Sequence, residues 1–274
     1  MQSLFNILQC ALEKREQLAL CTVVETSGST PLKAGAKMLI WANGDSAGTI
    51  GGGNVESQVI ADAIKLILQN ESKLIDYALL KQNMCCGGTM KIFIEPQKPQ
   101  KQLIVFGSGH IGSHVAFYAQ KLQFKTILID ERSKMLDKTD VPDIQKFPLN
   151  HKEAFSKLLF DSDTYVIICT HQHEYDREIL AYCINQNTAY LGMIGSMRKI
   201  LITKKRFLEH NICSKEQLDR VDMPMGFDIG QNGPEEIALG IVAKIVAVSN
   251  QKEIIQKVKT ETYEEASFDS NGCS

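Results

Sequence analysis

The chain has 274 residues, of which 44% are hydrophobic and 23% charged, ordinary globular proportions that exclude a disordered or collagen-like chain. Thirty basic against thirty-two acidic residues leave a formal net charge of -2, so no cationic excess exists to neutralise a nucleic-acid backbone, and a small molecule or another protein is the expected partner. The eight cysteines are too sparse for a disulfide scaffold and contain no C-x-x-C, which argues against zinc-ribbon and thioredoxin-type chemistry and for a reducing cytoplasm. The first fifteen residues lack a signal-peptide pattern, and the longest apolar stretch, 237–248, is interrupted by Lys244 and too short to span a bilayer.

In chain order, residues 3–14 read as a short helix with Leu4, Ile7, Leu8, Ala11 and Leu12 on one face. Strands follow at 18–25 and 36–41, then Asn43-Gly44, a type I′ turn signal. A helix is expected over 54–69, where Val55, Val59, Ile60, Ala63 and Ile67 share a face, then strands at 73–78 and 90–95. Pro96 and Pro99 mark a stiff seam. Beyond it the pattern alternates regularly: strand 102–106, helix 110–122, strand 126–130, strand 165–170, helix 178–187, strand 189–192, and helices 197–210 and 234–248. The fold expected is α/β: a small N-terminal α+β domain over 1–97, a Rossmann-like doubly wound parallel-sheet domain over 98–259, and a frayed polar tail over 260–274.

Gly107-Ser108-Gly109-His110-Ile111-Gly112 lies between a strand and a helix, and Asp130 ends the next strand 18 residues later. Such a turn lets a phosphate approach the backbone at Gly109, packs helix on strand at Gly112, and offers Asp130 to a ribose or other diol. The same glycines also serve packing alone. In the first domain, Gly28-Ser29-Thr30-Pro31 leads to Lys33 and Lys37, which suit an anion or a solvated surface equally. Gly51-Gly52-Gly53, with Glu56 just after, opens a helix whose bare amides are a candidate anion cradle or merely a hinge. Cys85-Cys86-Gly87-Gly88 is either a reactive pair or two core thiols. Thr170-His171-Gln172-His173, with Asp176, ends a parallel strand, where doubly wound sheets bind ligands; a third metal ligand is not evident. Gly195-Ser196-Met197-Arg198-Lys199 could hold an anionic group at a helix start, and Asp228 sits among glycines before Pro234.

Taken in order, these motifs resemble the xanthine dehydrogenase accessory protein family (XdhC/CoxI type). The resemblance runs over nearly the whole chain: G-S-T-P at 28–31, G-T-I-G-G-G to Glu56, Cys86-Gly87-Gly88, the G-x-G-H-x-G turn, Asp130 with Arg132, T-H to Asp176, G-S-x-x-K ending at Lys199, and G-x-D-I-G to P-E-E at 226–236. Leu32, Met197 and Asn232-Gly233 depart from the family pattern. The resemblance implies a chaperone, rather than an enzyme, that binds molybdenum cofactor (molybdopterin) and helps sulfurate it and insert it into a xanthine dehydrogenase-type molybdoenzyme. It implies a cysteine desulfurase as sulfur donor and a homodimer, with no nucleic-acid or membrane partner. Cofactor contacts are implied at Lys37, Gly51, Gly52, Gly53, Glu56, Cys86, Gly107, Gly109, His110, Gly112, Asp130, His171, Gly195, Ser196, Lys199 and Asp228, with Cys86 as the molybdenum or sulfur contact. The alternative is an NAD(P)-dependent oxidoreductase built on the Rossmann turn, with NAD(P) or another nucleotide as its cofactor. Against it, the only Tyr-x-x-x-Lys pair, Tyr77 with Lys81, lies outside that half. His171, His173 and Asp176 are expected to line a crevice between the domains as polar ligand contacts.

Overall fold

The computed structural model describes residues 3–79, 87–230 and 232–251; Cys85, Cys86 and the 260–274 tail lie outside them. The first half contains α1 (Leu4–Glu13), β1 (Leu18–Ser27), β2 (Lys37–Trp41), β3 (Ser46–Gly48), α2 (Gly53–Gln69), β4 (Lys73–Ala78) and β5 (Thr89–Gln97). Its strands form an antiparallel sheet in the order β3-β2-β1-β5-β4. Side chains alternate across β1 as a strand's period of two requires. Ala19, Cys21 and Val23 face α2 and meet Val55, Val59 and Ala63, while Leu18 turns to the opposite face with Leu39 and the α1 residue Ala11.

Between Gln97 and Gln102 the chain passes into a second sheet. This half runs β6 (Gln102–Phe106), α3 (His110–Lys121), β7 (Lys125–Ile129), α4 (Ser133–Lys138), β8 (Gln145–Phe147), α5 (His151–Phe155), β9 (Thr164–Ile168), α6 (His173–Cys183), β10 (Tyr190–Met193), α7 (Met197–Glu209), α8 (Lys215–Asp219) and α9 (Pro234–Ser249). The sheet is parallel throughout, in the order β10-β9-β6-β7-β8, so the strand order reverses between β6 and β9. Strands buried on both faces read as continuous apolar runs. In β6, Leu103 and Val105 pack toward α3 and α9, and Ile104 and Phe106 pack toward α6. Among the described residues no helix is long and apolar enough to cross a membrane.

Several elements differ from the sequence expectation. The α6 helix begins at His173 rather than 178, because its first turn is polar and carries no apolar stripe. The elements α4, β8, α5 and α8, of three to six residues, are too short to show a hydrophobic period in the sequence. Asn43-Gly44 does not form a type I′ turn. Only Gly44 has positive φ (+91°), Trp41 pairs with Asp45, and the Gly44 amide donates to the Trp41 carbonyl. That is a three-residue loop, a type I turn closed by a left-handed glycine.

Two polar clusters brace the molecule. Arg15, in the left-handed conformation at φ 63°, donates both Nε and a terminal nitrogen to the two carboxylate oxygens of Asp161, at 2.5 and 2.7 Å, and a third N–H to the Gln100 carbonyl. This joint ties the first half to the amino-terminal end of the parallel sheet, where Leu8 and Leu12 of α1 share a groove with Lys125 and Gln145. The second cluster is inside: Lys244 of α9, 7% exposed, donates to Asp222, whose other oxygen accepts from the Tyr190 hydroxyl and the Gly226 amide. It holds residues 222–226 along β10, bridged at Gly192 and Asp222.

Candidate functional site

The reversal of strand order opens a crevice at the carboxyl ends of β6 and β9, the usual ligand position in such sheets. The three glycines of the turn do different work. A Cβ on Gly107, at φ +108°, would lie 2.3 Å from the Cys169 carbonyl oxygen, and one on Gly112 would lie 1.9 Å from the Gly107 oxygen. These two positions are closed by backbone. Gly109 caps α3 at φ -67°, and a Cβ there would meet nothing within 4 Å. The open face at a helix N-terminus is where a ligand phosphate fits. His110, the first residue of α3, is exposed.

Beside the turn is a shallow cleft lined by Gly107, Asp130, Glu131, Asn150, His151, Thr170, His171 and Tyr175. Asp130 is not the free diol acceptor expected from sequence. One of its oxygens accepts from the Ser108 amide and hydroxyl and from a terminal nitrogen of Arg132, and the other accepts from the Arg132 amide and Nε. Five donors exhaust a carboxylate's lone pairs. Burial works against its ionisation, but the Arg132 guanidinium and the two amides prevail and lower the carboxyl to about 2. The acid therefore fixes the glycine turn, with Arg132 as its ion-pair partner.

His171 lies on the cleft, edge-on to Tyr175 at 5.8 Å between ring centres. His173 turns away from it, bonded through Nδ1 to Asp176 at 3.2 Å and through Nε2 to Lys199. Asp176 is buried and also accepts from the amide and hydroxyl of Thr170. Burial raises its carboxyl, against the pull of Thr170 and His173. Asp176 thus shapes the loop that presents His171. Gly195 and Ser196 lead into α7, with Ser196 and Lys199 exposed, whereas Asp228 stands apart on an exposed loop, bonded to the Gly230 amide. The lining of this cleft comes from the second half alone. The described residues do not form the expected crevice between domains, because the contact that joins the halves is at the other end of the parallel strands.

In the first half the motif loops converge. The Pro31 ring fills the space over Gly51, where a Cβ would be 2.3 Å from it, and Gly28 and Thr30 pack against Gly87 and Gly88. The Thr30 hydroxyl oxygen is buried without a hydrogen-bond partner among the described residues. The glycine cradle, however, is already filled. A single oxygen of Glu56 accepts from the amides of Ile50, Gly51 and Gly52 at 3.0, 3.2 and 2.8 Å and from the Thr49 hydroxyl at 2.5 Å. Glu56, expected to touch a cofactor beside Gly51, Gly52 and Gly53, instead occupies the anion position itself. These bonds lower its carboxyl despite burial. Lys37 is half-buried in β2, and Cys86 lies outside the described residues.

Sequence reasoning missed His151, which is buried against Tyr175 and bonded to Glu178 at 2.7 Å, and no spacing could have found it. It also missed the Lys244–Asp222–Tyr190 cluster, for which a lysine inside an apolar helix was the signal. Among the described residues no group of three or more His, Cys, Asp or Glu side chains is arranged to hold a metal.

Comparison with known proteins follows the two halves. Residues 103–245 match the model of the XdhC Rossmann domain, and residues 11–78 match that of the XdhC and CoxI family. An Escherichia coli relative, the uncharacterized protein YqeB, is 31% identical over 89% of this chain and 46% of its own length, so the chain spans about half of that protein. A Bacillus subtilis protein, named as a probable xanthine dehydrogenase subunit, is 24% identical over 93% of this chain and all of its own. A solved Bacillus halodurans structure, described as a xanthine dehydrogenase, shares 21% identity and a TM-score of 0.49, over 92% of this chain and 97% of that one. The chain belongs to the XdhC and CoxI family.

Proposed function

We propose that this XdhC and CoxI family member acts in xanthine dehydrogenase maturation, as a cytoplasmic, homodimeric accessory protein. It holds molybdenum cofactor for a xanthine dehydrogenase-type enzyme and assists sulfuration and insertion, with a cysteine desulfurase supplying the sulfur. In this reading it is a carrier and not a catalyst. The Bacillus subtilis relative, by its name a probable component of xanthine dehydrogenase, supports the client class.

The observation that carries cofactor binding is the open α3 N-terminus at Gly109, where an added Cβ meets nothing within 4 Å, beside a cleft lined by Asn150, His171 and Tyr175. Molybdopterin, when bound, supplies a terminal phosphate, a polar pterin and a soft metal held by its dithiolene sulfurs. The α3 amides fit the phosphate, and His171, Tyr175 and Asn150 fit a flat polar ring. The filled cradle at residues 50–52 does not fit a second phosphate while Glu56 is in place. The alternative is an NAD(P)-dependent oxidoreductase; for it, Asp130 would have to exchange one of its present donors, Ser108 or Arg132, for a ribose hydroxyl.

The test is to purify the protein from a molybdenum-replete host and identify the bound organic ligand by mass spectrometry, with metal analysis alongside. A pterin with molybdenum is expected, and its loss in Gly109→Val. A nicotinamide nucleotide in its place, or pterin retained by Gly109→Val, would refute the reading.

A further inference from the structure

The α7 helix presents an outer face that its own packing does not use. It buries Ile200, Thr203 and Phe207 against the sheet. Beside that face, rather than opposite it, Met197, Leu201 and Leu208, spaced i, i+4 and i+11, fall in one narrow arc and are 52%, 61% and 42% exposed, while Ile202, 54% exposed, falls outside the arc. Arg198 and Lys205 line one flank of this row and Lys204 the other. The helix carries five cations, Arg198, Lys199, Lys204, Lys205 and Arg206, and one acid, Glu209, in a chain whose net charge is -2. Among the described residues its one ion pair joins Lys205 to Glu209 at 3.7 Å.

Single exposed apolar residues are ordinary, but an aligned row bordered by one sign of charge is a recognition pattern. The row supplies area and the flanking cations select the sign of the partner. A second copy pairing through the same face would set the three flanking cations against the same three, so self-association through α7 is disfavoured. The helix also starts directly after Gly195 and Ser196, and Lys199 in its first turn meets His173.

We propose that the outer face of α7 is a docking surface for an apolar groove rimmed by carboxylates on the client enzyme. The identity of that client rests on the function proposed above; the groove's chemistry rests on α7.

The test uses the full-length protein and the cofactor-free xanthine dehydrogenase-type enzyme of the same organism. Binding is followed by biolayer interferometry at low and high salt, with hydrogen exchange to locate it. Wild type is expected to bind, more weakly at high salt, with slowed exchange over residues 197–209. Leu201→Ser and Lys205→Glu should each weaken binding by about tenfold, while Leu68→Ser, on the exposed side of α2, leaves it unchanged. Both α7 substitutions are at exposed positions, and should one fail to fold by circular dichroism the other decides. If wild type binds and the folded α7 variants bind equally well, the docking surface is wrong and the client reading stands. If wild type does not bind, the client reading fails and takes this partner with it. Sedimentation showing a dimer lost on Leu201→Ser assigns the face to a second copy and overturns the proposal. Capture by vesicles of equal phosphatidylserine and phosphatidylcholine, lost on Lys205→Glu, assigns it to a membrane and does the same.

Discussion

The glycine turn separates two kinds of glycine, and substitution should separate them by stability and by binding. At Gly112 an added Cβ would sit 1.9 Å from the Gly107 oxygen, more than 1 Å inside any contact real Cβ atoms make. The obstacle is backbone, held in turn by the Gly107 amide bond to the Ile129 carbonyl, so no side chain can swing aside. Overpacking of this kind costs about 3 kcal/mol or more. At about 2–4 °C per kcal/mol for a protein of this size, Gly112→Ala should lower Tm by roughly 6–12 °C. At Gly109 φ is -67° and the Cβ position is open, so Gly109→Val loses only a good cap residue, about 1 kcal/mol or less. Its side chain nevertheless projects into the space above the α3 amides, and cofactor retention should fall by about tenfold or more. Thermal and urea denaturation, with cofactor content of the purified variants, test both halves of the argument. Equal destabilisation by the two substitutions, or full cofactor retention by Gly109→Val, would refute it.

Four other outcomes are expected. Lys244→Met strands the Asp222 carboxylate in the interior and should cost about 3–5 kcal/mol in urea denaturation, with Asp222→Asn added to it restoring part of the loss; a neutral Lys244→Met would mean that the pair is not stabilising. Arg15→Ala removes the bidentate joint to Asp161, in which Arg15 is 5% exposed, and should cost about 2 kcal/mol or more and speed proteolysis between residues 97 and 102; unchanged proteolysis would sink the idea that this pair fixes the joint. Asp130 has a carboxyl lowered to about 2, so its contribution, about 2 kcal/mol, is complete above the unfolded value near 4 and is lost as pH falls through about 2. In Arg132→Ala the acid-induced loss of stability in that window should shrink, and an unchanged acid profile would contradict the assignment. Glu56→Ala empties the amide cradle of residues 50–52, so sulfate should raise the Tm of this variant more than that of wild type; identical sulfate responses would refute an anion site there.

The residues announce the architecture more clearly than the site. Strand 102–106 is legible because the apolar run Leu103-Ile104-Val105-Phe106 is followed by a glycine turn, and strand 73–78 is legible between polar neighbours. Elements of three to six residues such as α4 and β8 are too short to show a period. At Asn43-Gly44 the local preference for a type I′ turn gave way to the strand register, which pairs Trp41 with Asp45. At the site, the glycines, Asp130 and Asp176 were visible as residue types, but their occupancy was not. That Asp130 is filled by Arg132 depends on how the guanidinium folds back, and His151 reaches the cleft through the packing of α5, which no spacing records.

Glu56 is tethered four residues from the Gly52 amide that it binds, so it competes with any incoming anion as an intramolecular ligand. A short tether of this kind corresponds to an effective concentration of millimolar or above. A free monovalent anion arriving from solution meets a competitor that never diffuses away. An anionic group on a larger molecule already anchored elsewhere on this protein is itself tethered, and competes on equal terms. The loop at residues 50–52 thereby answers to a second point of attachment rather than to a first encounter, and free phosphate in solution passes it by.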